Sequence, residues 1–98
     1  MLIKKKIWLH KTEYIDIMEL KEGSKIKYYS YSYKVFSKKR WYISMRWDNF
    51  EQSPHVERYD ENGSLIEQKY GDYKTQDDVI KIIKTFRRNI GSVNLNHL

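Results

Sequence analysis

Apolar and polar side chains alternate at a period of two through most of residues 1–70, and after Tyr73 the period lengthens to that of a helix. A period of two sorts residues onto the two faces of a strand, and a period of 3.6 makes one stripe on a helix, so the chain is constrained to a sheet followed by a helix. Ile3, Lys5, Ile7 and Leu9 alternate with Lys4, Lys6, Trp8 and His10, and Ile15 and Ile17 with Tyr14, Asp16 and Met18. The turn "KEGS" at 21–24, where Gly23 is free to take positive φ, leads into a long strand at 25–36. After the polar "SKKR" at 37–40, Trp41, Ile43, Met45 and Trp47 are expected on one face of a strand and Tyr42, Ser44, Arg46 and Asp48 on the other. Residues 56–60 and 65–70 flank "ENGS", and Asn62-Gly63 is a strong hairpin signal. A two-residue type I′ turn would set Arg58 opposite Glu67, and a Gly63 bulge would shift that pairing by one; the sequence leaves both open.

Val79, Ile82, Ile83, Phe86 and Ile90 share one helical face. Thr75 is placed as the N-cap with Asp78 completing a capping box. Asp77 and Asp78 at the start and Arg87 and Arg88 at the end suit the helix dipole, and Gly91 is the natural stop. The expected fold is α+β: an antiparallel meander of five to six strands, with one C-terminal amphipathic helix packed on the sheet face that carries Trp41, Ile43, Met45 and Trp47. The other face is then free. Residues 1–90 read as a single domain, and 91–98 as a flexible or partner-docking tail.

A chain of 98 residues supports one core. Nine tyrosines and three tryptophans beside a single proline favour β-structure. The absence of cysteine excludes disulfides and thiolate metal sites and points to a reducing, cytoplasmic setting. Lysines interrupt the apolar start, and no run reaches the roughly 18 apolar residues of a membrane span. Residues 1–50 carry 12 Lys/Arg against 5 Asp/Glu, net +7, while 51–98 carry 7 against 8, net −1. A basic half suits an anionic partner, nucleic acid above all, and equally suits lysines that keep exposed strands soluble.

Three features carry candidate chemistry. In "KIKYYSYSYKVF", Tyr29, Tyr31, Tyr33 and Val35 share a face, and Tyr28, Ser30, Ser32 and Lys34 share the other. Rings on an open basic face stack single-stranded bases, with Lys25, Lys27, Lys34, Lys38, Lys39 and Arg40 to hold phosphates; the same rings also serve as ordinary strand packing. The glycine-aromatic signature of an RRM is missing. The second feature runs from Arg46 to Ser64, "RWDNFEQSPHVERYDENGS". A hairpin would bring Asp48 to His55 with Arg46 and Arg58 close by, a set suited to RNA cleavage without a metal: one group takes the 2′-hydroxyl proton, another protonates the leaving oxygen, and cations hold the phosphate. One histidine fills a single role at a time, so Tyr59 or a carboxylate takes the second. The bland alternative makes Asp48 and Asn49 turn caps and His55 a surface residue. No cofactor is called for, and His55, Glu57 and Asp60 match no standard metal motif. The third feature, Lys81, Lys84 and Arg88 along the helix, reads first as a solvated face.

The segment "YSYSYKVFSKKRWYISMRWDN", a short polar loop, "PHVERYDENG" and a short helix together resemble the TumE-type toxins of prokaryotic toxin–antitoxin pairs. The resemblance spans residues 29–90, and its specific part is Arg46, Trp47, Asp48, Asn49, Pro54 and His55. It implies a toxin directed at RNA or translation, neutralised by a cognate helix-turn-helix antitoxin, with Asp48, Asn49 and His55 as the functional motif. Family members often carry a second histidine two residues after the first; here that position is Glu57, so that the chain has either lost half of an acid–base pair, or uses Glu57 as base, or is a non-catalytic relative. Beside this toxin reading stand a non-enzymatic module that binds nucleic acid or protein through the tyrosine/lysine face, and a structural subunit that forms a homodimer.

Overall fold

The structure is a computed structural model that describes residues 1–98. Strands β1 (Leu2–His10), β2 (Glu13–Glu22), β3 (Lys25–Ser37), β4 (Arg40–Asp48), β5 (His55–Tyr59) and β6 (Leu65–Tyr70) form one antiparallel sheet in sequence order, a six-stranded meander. Helix α1 (Gln76–Phe86) crosses one face of it. The fold is therefore α+β, as the change of period predicts. No helix is long and apolar enough to cross a membrane.

The helix starts where its cap requires. Thr75 Oγ1 accepts from the Asp78 amide at 3.1 Å, and the Asp78 carboxylate accepts from the Thr75 amide at 2.9 Å. Its Val79 and Ile83 are fully buried, each worth about 1.5–3 kcal/mol of burial. They pack on Ile15 and Ile17 of β2, Tyr29, Tyr31, Tyr33 and Val35 of β3, and Met45 and Trp47 of β4. The α-helix ends at Phe86 rather than at Gly91, because Arg87 turns to φ 48 there and a 3-10 segment, Arg87–Ser92, follows. That turn brings Arg87 to the buried Glu13 carboxylate, at 2.9 and 2.8 Å, where the Tyr33 hydroxyl also donates. These donors, the Arg87 guanidinium first, hold the Glu13 carboxyl well below the usual range, at about 2. The tyrosine hydroxyl is pushed up by burial and by its carboxylate partner.

One sequence expectation fails inside β4. Tyr33 pairs with Met45 but Lys34 pairs with Ile43, so Ser44 is an extra residue, a bulge. The bulge inverts the alternation. Met45 and Trp47 face the helix, whereas Trp41 and Ile43 lie with Lys34 and Phe36 on the opposite face, and Tyr42 takes the helix side with Val35. At the next hairpin Gly63, at φ 84, closes a type I turn by donating to the Asp60 carbonyl at 3.1 Å. A second irregularity at Ile66 then restores Arg58 opposite Glu67, so the structure holds both the bulged turn and the unshifted pairing.

The segment after the helix is not a loose tail. Leu95 and Leu98 are buried in the same core, and the Trp47 indole donates to the Leu98 carbonyl at 3.1 Å. The single domain therefore runs through residues 91–98.

Candidate functional site

Period-two parity places Arg46 and Asp48 on the face of β4 away from the helix, and His55, Glu57 and Tyr59 on the same face of β5. The two strands pair with Asp48 directly opposite His55 and Arg46 opposite Glu57. The Asp48 carboxylate receives His55 Nε2 at 3.1 Å, the Phe50 amide at 3.0 Å and Arg46 Nε at 3.5 Å. Glu57 receives Arg46 Nε at 2.9 Å and lies 3.6 Å from His55 Nε2. Arg46 also donates to the Tyr59 hydroxyl at 2.8 Å. Asp48 and Glu57 are nearly inaccessible, and Arg46 keeps a third of its side chain exposed.

The histidine is fixed from both sides. Nδ1 lies 2.8 Å from the Ser53 carbonyl, and Nε2 faces two carboxylates. Each nitrogen meets only acceptors, which hold the ring in one orientation. Arg46 and the hydrogen bonds of His55 and the Phe50 amide satisfy the two carboxylates, which is what makes so polar a group tolerable at this depth. The hydrogen bonds and charge of Glu57 hold the Arg46 guanidinium above its usual range against the desolvation that lowers it, and burial raises the Tyr59 hydroxyl.

Two clefts border the cluster, one of them on the helix side of the sheet beside Trp47, Val56, Leu95 and Leu98. His55 lines one of about 130 Å³ with Tyr70, Lys69 and Lys74. Arg46 and Tyr59 line another of about 370 Å³ with Arg40, Trp41 and Ile43. The ligand atoms of Asp48, His55 and Glu57 lie within 4.8 Å of one another and could hold a divalent cation, but only by displacing Arg46 from between the carboxylates.

Arg46, Asp48, His55 and Glu57 thus converge, and Arg58 does not join them. Its parity sends it to the helix face, where it is buried. There it binds Glu67 and donates to the carbonyls of Ile90, at 3.1 Å, and Val93. Burial lowers the affinity of Arg58 for its proton. Asn49 is also a structural residue: its side chain accepts from the Tyr29 amide at 2.7 Å and donates to the Lys27 carbonyl at 3.3 Å, bridging the irregular end of β3.

The tyrosine platform is corrected as well. Tyr29, Tyr31 and Tyr33 are at most 3% exposed beneath the helix, so no base can stack on them. Of the basic residues grouped with them, Lys25, Lys27, Lys38, Lys39 and Arg40 are exposed, and Lys34 is half-buried on the open face, 3.2 Å from Asp16. Arg88 of the helix stripe is tied to Thr12 and the Phe36 carbonyl. Sequence reasoning missed Trp8 and Trp41, which lie exposed on the open face; Trp8 alternating with apolar residues among Lys4 and Lys6 was the available signal. Comparison with protein-family models, curated proteins and solved structures finds no match.

Proposed function

We propose that this protein acts on RNA through the cluster on the open sheet face, as a toxin-like, metal-independent ribonuclease. The observation that carries this reading is the convergence of His55 and Glu57, 3.6 Å apart, beside the Arg46 guanidinium. Glu57 takes the proton of a 2′-hydroxyl, and that oxygen attacks the neighbouring phosphorus. The bond to the 5′-oxygen breaks, and His55 Nε2 supplies the proton to the leaving oxygen. The products are a 2′,3′-cyclic phosphate and a free 5′-hydroxyl. Arg46, oriented by Tyr59, offsets charge on the phosphorane, and Asp48 orients His55. Glu57 stands where the TumE-type toxins that the chain resembles often carry a second histidine. In that setting a helix-turn-helix antitoxin would be its partner.

The test is expression of the wild type and of His55→Ala in a bacterial host, with growth and RNA integrity followed. The expected result is growth arrest with RNA fragmentation, both abolished by the substitution. Fragmentation that persists in His55→Ala contradicts the reading.

A further inference from the structure

The bulge at Ser44 that spoils the alternation of β4 has a second effect: it moves Trp41 to the open face, where it meets residues of three other strands. Trp41 packs edge-on against Tyr14 at 5.0 Å, Phe36 at 5.4 Å and Trp8 at 5.8 Å between ring centroids. Trp8 remains 55% exposed and Trp41 40%. Two large rings left in solvent on the face opposite the helix are not explained by folding, because the core lies on the other side.

The charge around these rings is mainly positive. The Lys6 and Lys34 ammonium groups lie 4.9 and 5.7 Å from the Tyr14 ring centroid. Lys4 stands on the same face of β1 as Lys6 and Trp8, and Arg40 lines the cleft floored by Trp41. The carboxylates nearby are already matched: Asp16 with Lys34 at 3.2 Å and Glu61 with Lys38 at 2.9 Å. Lys4 and Lys6 have no acidic partner, and Arg40 is steadied at the cleft by the Glu61 carbonyl and the Asn62 side chain, with no carboxylate bound to it. The cleft beside Trp41 continues to Arg46 and Tyr59, which belong to the histidine cluster.

We infer that this aromatic and basic patch binds single-stranded nucleic acid, with bases stacked on Trp8 and Trp41 and phosphates held by Lys4, Lys6 and Arg40, and that it leads the strand along β4 to the cluster. The inference rests on the RNA-directed reading above and names its substrate as unpaired RNA. A duplex keeps its bases stacked on each other and offers these rings nothing, whereas every unpaired base has a free π-face. The patch does the work first expected of the tyrosine strand, on the face of the sheet that the helix leaves open.

The experiment is fluorescence anisotropy of a labelled single-stranded oligoribonucleotide with 2′-O-methyl groups, which can bind but cannot be cleaved. It is run beside its duplex, with cleavage of ordinary RNA measured in parallel. The expected results are tighter binding of the single strand, affinity that falls steeply with salt, and a loss of roughly tenfold or more on Trp41→Ala or Trp8→Ala. Trp41→Phe, which keeps a ring, should retain most of the affinity. Lys84→Ala, which removes a charge from the far side of the sheet, should bind as the wild type does. Equal affinity for the duplex, wild-type affinity in both tryptophan-to-alanine variants, or a dimer in sedimentation that those variants dissolve would each overturn the inference, the last by making the patch a protein interface. Binding with no cleavage defeats the ribonuclease reading alone. Cleavage that ignores both tryptophans defeats the patch alone.

Discussion

Arg46 touches Asp48, Glu57 and Tyr59 at once, and removing its charge leaves two buried carboxylates facing one histidine. Arg46→Met is therefore expected to destabilise the fold by about 3 kcal/mol, measurable by urea denaturation. The pair at the heart of the cluster was legible in the sequence because Asp48 and His55 flank one short connection and become cross-strand partners. Arg58 was misplaced for a reason the same alternation contains: residues 55 and 58 have opposite parity and cannot share a face of a regular strand. Glu13 was not legible at all, since its partner Arg87 lies 74 positions away. Its folded value of about 2 lies below the usual 4.5, so the unfolded chain takes up the proton first as pH falls. The stability it contributes is fully present above pH 4.5 and lost as the pH falls through about 2. Glu13→Gln should be weaker than the wild type by about 2–3 kcal/mol at pH 6, with the gap closing towards pH 2 in paired denaturation curves.

At the scale of elements, alternation located every strand but gave no sign of the bulge at Ser44, because a bulge depends on how two strands fit and not on the residues of one. The helix was legible in its cap and stripe. Its true end was not, since Arg87 leaves the helix to reach β2. The segment after it is held by Arg58, whose guanidinium gathers the carbonyls of Ile90 and Val93. Arg58→Met should cost about 2–3 kcal/mol and should raise hydrogen exchange at residues 93–98 before the sheet opens. The β3–β4 turn places Lys38 at φ 52 and Lys39 at φ 67, a conformation that Asn-Gly adopts more readily. Replacing both, Lys38→Asn with Lys39→Gly, should stabilise the protein by about 1 kcal/mol in thermal or urea unfolding.

The whole molecule divides its work between two faces. The helix face holds the buried tyrosines, aliphatic side chains and the Glu13–Arg87 pair, and accounts for the fold. The open face holds the Arg46–Asp48–His55–Glu57 cluster and, further along the same sheet, exposed tryptophans among lysines. Net charge alone pointed to an anionic partner, while the face it would meet depended on which side the helix covers. The central claim is that Glu57 and His55 exchange protons with RNA without a metal. It is tested most directly by incubating purified protein with single-stranded RNA in excess EDTA and identifying the fragment ends. The account predicts 2′,3′-cyclic phosphate ends, formed roughly 10²–10⁴-fold more slowly by Glu57→Gln and by His55→Ala. Cleavage that stops in EDTA and returns with a divalent cation, or that proceeds unchanged in both variants, would contradict it.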